Sequence, residues 1–269
     1  MVMAASKTDP AKGTVPAVQH ATAIMRFFQQ RSNEPATMTE IARSVGVNPS
    51  TCFNILKTLE GERLVAFDPS TKGYCLGLGL IELAASVDGQ RQIIQTALDF
   101  ARRLVDRTEL ACLVVRMAET EEFVVVDKIE SRRPIKVTMS VGERFPANSS
   151  VLAKAYFAWL DDVAVDRMIE RLGLPQYTTN SIVDGDQFKQ HLAEVRQLGY
   201  AKSIAEYYPD HNALAAPIFD RYGQVTHLLV IVGFAFELPA ERLEEYGEIL
   251  RDTAEEVTKK VGGSYPHLS

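Results

Sequence analysis

Residues 37–60 read TMTEIARSVGVNPSTCFNILKTLE, and the reading of this stretch decides the first half of the fold. Thr37 followed three residues later by Glu40 is a capping-box pattern that opens a short helix. Met38, Ile41, Ala42 and Val45 repeat at helical spacing and define its apolar face. Gly46 ends it, because glycine tolerates the left-handed backbone of a helix C-cap. Asn48 is an N-cap and Pro49 takes the first helical position, so a second helix starts after a tight turn. Its apolar face is Cys52, Ile55, Leu56 and Leu59. Ser50, Thr51, Asn54, Lys57 and Thr58 turn the other way, with Phe53 beside them. Short hydrogen-bonding groups and a cation suit a DNA groove, so the pattern predicts a helix-turn-helix with 48–60 as recognition helix. The same pattern is compatible with two helices of an ordinary core whose polar face is merely solvated.

Working outward, residues 17–31 predict an amphipathic helix with Ala21, Ile24, Met25 and Phe28 inward. Downstream, 64–67 and 74–76 predict two strands joined by the turn formers of 68–73. A hairpin directly after a recognition helix is a wing, and Lys72 at its tip is placed to meet a phosphate or to be a solvated turn lysine. Residues 1–15 predict a flexible arm, 16–76 a winged helix-turn-helix and 77–92 a connector helix.

The rest of the chain alternates strand and helix. Strands are predicted at 110–117, 123–129, 135–140, 200–205, 213–219 and 225–234, and 142–147 as a loop. Helices are predicted at 93–108, 148–160, 161–172, 184–198 and 238–261. A mixed sheet with helices packed on it makes 93–264 an α+β domain, large enough for its own core.

Composition narrows the function classes. At 269 residues with 46% hydrophobic and 24% charged residues the chain is of ordinary globular composition. It contains no apolar run long enough for a membrane span, and its start has no secretory-signal core. Cys52, Cys75 and Cys112 are scattered and odd in number, as in a reducing cytoplasm. The net charge of −6 is unevenly spread: residues 1–75 hold eight Lys/Arg against six Asp/Glu, and the remainder 21 against 29. The basic excess of the first part is small, so tight DNA binding calls for two heads acting together. His20, His191, His211, His227 and His267 show no metal-ligand spacing, so no metal is expected. No nucleophile elbow, P-loop or dinucleotide fingerprint occurs, so neither a cofactor nor an enzyme is expected.

The chain resembles the IclR family of bacterial transcription regulators. The matching residues are 18–28, 40–42, GVNPSTCFNILKTL at 46–59 and the wing exit at 74–77. Further matches are VGERFPANSSVLAKA at 141–155, Leu198-Gly199-Tyr200-Ala201, Glu206-Tyr207 and Ala215-Ala216-Pro217-Ile218. The resemblance implies a winged helix-turn-helix and a GAF-like effector-binding domain. It also implies a homodimer or homotetramer on a partly palindromic operator, with a small metabolite altering DNA binding. Under it, Ser50, Thr51 and Asn54 are the candidates for base edges. Arg43, Lys57 and Lys72 are the candidates for phosphates, while Asn48 and Phe53 complete the DNA-facing set. Asn54 stands where the family usually has a basic residue, and asparagine pairs with adenine N6 and N7. Asp210-His211 replaces the usual Gly-Val in a loop that borders the effector, and is compatible with a pocket hydrogen-bonding pair or with a surface loop.

The same resemblance locates an effector site. Asn148, Ser149 and Ser150 begin a helix, and a helix start offers unpaired N–H groups and a partial positive charge to a carboxylate. Family amides at the positions of Val151 and Leu152 form such a seat; without a ligand, Asn148 would simply cap its helix. Regulators holding very small polar acids surround them with an acid, a cysteine and two serines. The corresponding positions here are Ser203, Ala213, Val230 and Val232. Three are apolar and would leave a small polar ligand unpaired, at about 1–3 kcal/mol per group. The expectation is therefore an aromatic or alkyl carboxylate effector and a catabolic operon. A winged-helix adaptor for proteins and an enzyme with a winged-helix appendage are the alternatives.

Overall fold

In the computed structural model, which describes residues 14–31, 33–85, 88–137 and 139–266, Thr37 starts the motif's first helix. Its Oγ1 accepts the Glu40 N–H at 3.4 Å, and Glu40 Oε2 accepts the Thr37 N–H at 2.8 Å. The chain divides into two units, 1–87 and 88–269. The first contains α1 (Pro16–Gln30), α2 (Met38–Val45), α3 (Pro49–Gly61), β1 (Val65–Asp68), β2 (Gly73–Leu76) and α4 (Gly79–Ala85). Gly46 closes α2 at φ 74°, and Asn48 Oδ1 caps α3 by accepting the Thr51 N–H at 2.8 Å. Ile24, Phe28, Ile41, Cys52 and Leu56 are wholly buried and form one core with Val65 and Tyr74 of the hairpin. Ala36 bridges to Tyr74, a pairing that ties the segment before α2 to the wing. A Cβ at Gly77 would overlap the Arg63 carbonyl, so a glycine is required where the chain leaves the hairpin.

The predicted connector carries α4 and the start of α5 (Asp88–Thr108); its residues 86 and 87 lie outside the described residues. Residues 1–13 of the predicted arm and His267 also lie outside them.

The second unit continues with β3 (Ala111–Met117), β4 (Glu122–Ile129), β5 (Arg144–Pro146), α6 (Ser150–Phe157), α7 (Asp162–Leu172) and α8 (Gly185–Leu198). Then come β6 (Ala201–Ile204), β7 (His211–Phe219), β8 (Val225–Phe234) and α9 (Leu243–Lys260). The six strands form one sheet in the order β5-β4-β3-β8-β7-β6. Every pairing is antiparallel, which corrects the expectation of a mixed sheet. The chain leaves one edge at β5, runs through three helices, and re-enters at the opposite edge as β6, so no parallel crossover is needed.

Strand alternation sorts the core into two layers. Leu113, Val115, Ala215, Leu228, Val230 and Val232 face α6, α7 and α8. Cys112, Val114, Leu214, Ala216, Leu229 and Ile231 face α5 and α9.

Two sequence expectations fail here. Residues 135–140 alternate like a strand, but the described ones among them belong to no strand: Ile135 is 69% exposed, and Lys136 Nζ donates to Glu130 Oε2 and the Ser131 carbonyl. Thr138 lies outside the described residues. The strand that does pair with β4 is β5, inside the predicted loop, where Phe145 faces Phe123.

His227 is 3% exposed, and neither ring nitrogen has a partner among the described residues. Burial, with a smaller push from Arg116, depresses its pKa from 6.5 to about 4. Between those values the unfolded chain binds a proton that the folded chain refuses, so stability falls as pH drops through that window. The shift corresponds to about 3 kcal/mol in full, of which roughly 2 kcal/mol is lost by pH 5. Thermal melts at pH 7.5 and 5 should show this fall in the wild type and a smaller one in His227→Phe. An equally steep fall in the variant would assign the loss to other groups.

Candidate functional site

Helix α3 turns Ser50, Phe53, Asn54 and Lys57 to solvent, with Thr51 half-buried, opposite the buried Cys52, Ile55, Leu56 and Leu59. Asn48 is committed to its helix: Oδ1 accepts the Thr51 N–H and the Ser50 hydroxyl, both at 2.8 Å. Ser50 therefore keeps only acceptor capacity. Lys57 Nζ reaches Glu60 at 3.2 Å, an exposed pair worth little and easily exchanged for a phosphate. The side chains of Asn54, Arg43 and Lys72 are exposed and hydrogen-bond to nothing among the described residues. Lys72 sits in the hairpin turn at φ 52°. Asp68 braces that turn by accepting the Ser70 N–H and the Ser70 and Thr71 hydroxyls, contacts that lower its carboxyl pKa.

The second unit encloses a cavity of about 540 Å³, its open mouth included. Ser149, Ser150, Val151, Leu152, Ser203, Ala213, Val230 and Val232 all line it. The sheet register explains the floor: Ser203 pairs with Ala213, Ala213 with Val232, and Leu113 with Val230. Helix α6 supplies the polar end. Ser149 is the N-cap residue, but its hydroxyl donates back to the Pro146 carbonyl instead of capping. The amides of Leu152 and Ala153 both donate to the Ser149 carbonyl at 3.1 Å. The N–H groups of Ser150 and Val151 donate to no protein acceptor among the described residues. Two amides without a protein acceptor thus belong to residues that line a mostly apolar space, shifted one residue from the expected Val151 and Leu152 pair.

Ser150 has a φ of 24°, a conformation that costs a non-glycine residue free energy and that such residues keep where surroundings enforce it. The enforcing contacts are visible. Its hydroxyl lies 2.7 Å from Glu206 Oε2 and 3.0 Å from Ser203 Oγ. One turn further along α6, Lys154 Nζ meets the same carboxylate at 2.7 and 2.9 Å and also donates to the Lys202 carbonyl. The Lys154 and Glu206 side chains are 2% and 12% exposed. Burial lowers the Lys154 pKa, and the Glu206 charge opposes that shift. Thr178 and Ser181 hydroxyls hold the Ala205 and Glu206 carbonyls, and Asn212 Oδ1 holds the Ala205 N–H.

Asn148 does not line this cavity. Its amide donates to the Leu172 and Gly173 carbonyls and its Oδ1 accepts from Tyr177, in a smaller adjacent pocket. It neither caps α6 nor lines the larger cavity, because α6 begins two residues later than expected. Residues of the cavity wall that were not singled out include Leu113, Val115, Met139, Phe145, Tyr207 and Tyr208. His211 also lines it, without a hydrogen bond to Asp210 among the described residues. Lys154 carries a sequence signal of its own: a lone lysine among Ala153, Ala155, Tyr156 and Phe157 sits on a buried face and demands a counter-charge. No described group of three His, Cys, Asp or Glu residues could hold a metal, and no described helix is long and apolar enough to cross a membrane.

The family model described as "Bacterial transcriptional regulator IclR C-terminal" matches residues 85–259, and the one described as "IclR helix-turn-helix domain" matches residues 17–69. The HTH-type transcriptional repressor AllR of Escherichia coli K12 is 26% identical over 247 residues, 91% of this chain and 90% of that protein. The crystal structure of an IclR transcriptional regulator from Alicyclobacillus acidocaldarius superposes with a TM-score of 0.80 at 28% identity, covering 93% of this chain and all of the other. An IclR homologue from Microbacterium hydrocarbonoxydans, complexed with 4-hydroxybenzoate, has the same fold, with a TM-score of 0.79 at 18% identity. It covers 91% of this chain and 98% of its own.

Removing one partner of the buried pair should be far worse than removing both. Lys154→Met should destabilise the second unit by about 3 kcal/mol, and Lys154→Met with Glu206→Leu should recover much of it. Urea unfolding of the single and double variants checks this; additive losses would show that the pair does not act as a unit.

Proposed function

The chain belongs to the IclR family of bacterial transcriptional regulators, and from that premise we propose a ligand-responsive regulator of a catabolic operon whose effector is a small carboxylate with an aromatic or alkyl body. DNA binding itself follows from the helix-turn-helix and from repressor relatives along nearly the whole chain. In the proposed complex α3 enters the major groove. Asn54, whose amide is exposed and uncommitted, pairs with a base edge, Ser50 and Thr51 flank it, and Arg43, Lys57 and Lys72 meet phosphates. A homodimer or homotetramer presents two such heads to an operator with two half-sites.

The observation that carries the effector half is the pair of free N–H groups on Ser150 and Val151 at one end of an apolar cavity. A carboxylate satisfies both amides and the partial positive charge of the helix start. Lys154 neutralises the nearby Glu206, so that carboxylate does not repel the ligand. Val230, Val232, Leu113 and Phe145 then cover a hydrocarbon body. The Microbacterium hydrocarbonoxydans neighbour is complexed with a molecule of this chemistry. For the ligand to regulate, it must bind one arrangement of the protein better than another, since equal affinity shifts nothing.

The test is a gel shift of the full chain with DNA from upstream of its own gene, with and without a panel of aromatic and aliphatic acids. The expected result is a specific, salt-sensitive shift that one class of acid alters. Asn54→Ala should weaken it by about 1–3 kcal/mol, roughly five- to 150-fold, while effector affinity stays unchanged. Loss of both in that variant, with the protein folded, would contradict this division of labour. A shift that no acid alters would contradict the effector half.

A further inference from the structure

The DNA-facing side of α3 carries one large side chain without a polar atom. Phe53 is 45% exposed, and it sits among Ser50, Asn54, Lys57 and Thr58, which are exposed and polar. It takes no part in the core of the first unit, which Met38, Val45, Leu64 and Leu76 all join. Phe27 and Phe67 rest on the rings of Phe28 and Tyr74, at 5.4 and 4.7 Å between centroids. The Phe53 ring meets no other ring among the described residues. A lone exposed phenylalanine is ordinary on a protein surface, but the middle of a recognition helix is not an ordinary place for one.

Residues three and four apart on a helix are neighbours, so Phe53 shares a row with Ser50 and Lys57 and borders Asn54. Long helical side chains lean toward the helix start, which brings this ring over the turn of Pro49 and Ser50. In a helix-turn-helix that end of the recognition helix meets the base edges. The Asn48 cap and the buried Cys52, Ile55 and Leu56 hold the turn in place, so the ring is presented from a fixed support. Phenylalanine neither donates nor accepts a hydrogen bond, so it serves neither a phosphate nor a polar base edge. The major groove offers one apolar group, the C5 methyl of thymine.

Resting on the proposed docking of α3 in the major groove, we infer that Phe53 is a specificity-determining residue that packs on a thymine methyl in each operator half-site. The preference comes from removing the ring and the methyl together from water. Cytosine presents an amino group there and no methyl, so it leaves the ring against a polar edge. Asn54 beside it pairs with adenine N6 and N7, and the two side chains together select A·T pairs.

The full chain is used to select its preferred sequence from a randomised duplex library, and each thymine of that duplex is then replaced in turn by uracil. Uracil lacks only the methyl and keeps every hydrogen-bonding atom. By fluorescence anisotropy the wild type should lose about fourfold in affinity at one thymine of each half-site, the effect of one buried carbon. Phe53→Ala, too short to reach that methyl, should bind the thymine duplex at least about fourfold more weakly than the wild type and be indifferent to the uracil change. A wild type indifferent to uracil at every position would overturn the role of Phe53 and leave DNA binding standing. So would a uracil penalty that persists in Phe53→Ala. If the wild type selects no sequence, the docking of α3 falls with it. Should Phe53→Ala lose helix content, as read by circular dichroism, Phe53→Ser takes its place in the same comparison.

Discussion

The contact on which the second unit's site depends is the buried ion pair between Lys154 and Glu206. Two charges taken out of water are expensive unless each is fully engaged. Here the lysine has the carboxylate and the Lys202 carbonyl, and the carboxylate has the lysine and the Ser150 hydroxyl. Satisfying them locks the start of α6 onto the segment after β6. That lock holds Ser150 in a strained backbone conformation and leaves its amide and that of Val151 aimed away from the helix. The pair is better explained by what it positions than by what it adds to stability.

The sheet divides the labour of this unit. The face covered by α5 and α9 is filled from β3, β7 and β8, with Val114, Leu214, Ile218, Leu229 and Ile231 buried there. The face covered by α6, α7 and α8 has small or branched residues at Ala213, Val230 and Val232, and the space they leave becomes the cavity. Asn212 stands at the junction, holding the Ala205 N–H on one side and the Leu238 carbonyl on the other. A ligand that fills the cavity acts on α6 and on the segment carrying Glu206, Tyr207 and Tyr208. It does not have to disturb the opposite layer of the core.

The helix-turn-helix was legible because its signals are local. The capping box at Thr37 and Glu40, the αL glycine at 46 and the Asn48-Pro49 start each specify backbone geometry within a few residues. The strands of the large sheet were legible from alternation, except where alternation misleads. Residues 135–140 alternate without pairing, and β5 pairs over only three residues, too few to show a period. Its existence depends on Phe123 across the ladder, which no local pattern announces. The residues around the cavity came from family resemblance and register, and the structure lines one space with eight of the nine. Asn148 was misplaced because Asn-Ser-Ser offers three successive capping candidates, and only tertiary contacts to Leu172, Gly173 and Tyr177 choose among them. The Lys154–Glu206 pair joins residues 52 positions apart, so no window of sequence contains it.

We propose that the free amides of Ser150 and Val151, on the wall of a mostly apolar cavity, make this chain a receptor for carboxylates with a hydrocarbon body. The most direct measurement is a calorimetric comparison of benzoate-type acids with glyoxylate and pyruvate on the full chain. The aromatic acids should bind measurably, and the short oxoacids little or not at all. Val230→Ser should narrow the difference. Binding confined to the two- and three-carbon oxoacids would contradict the proposal.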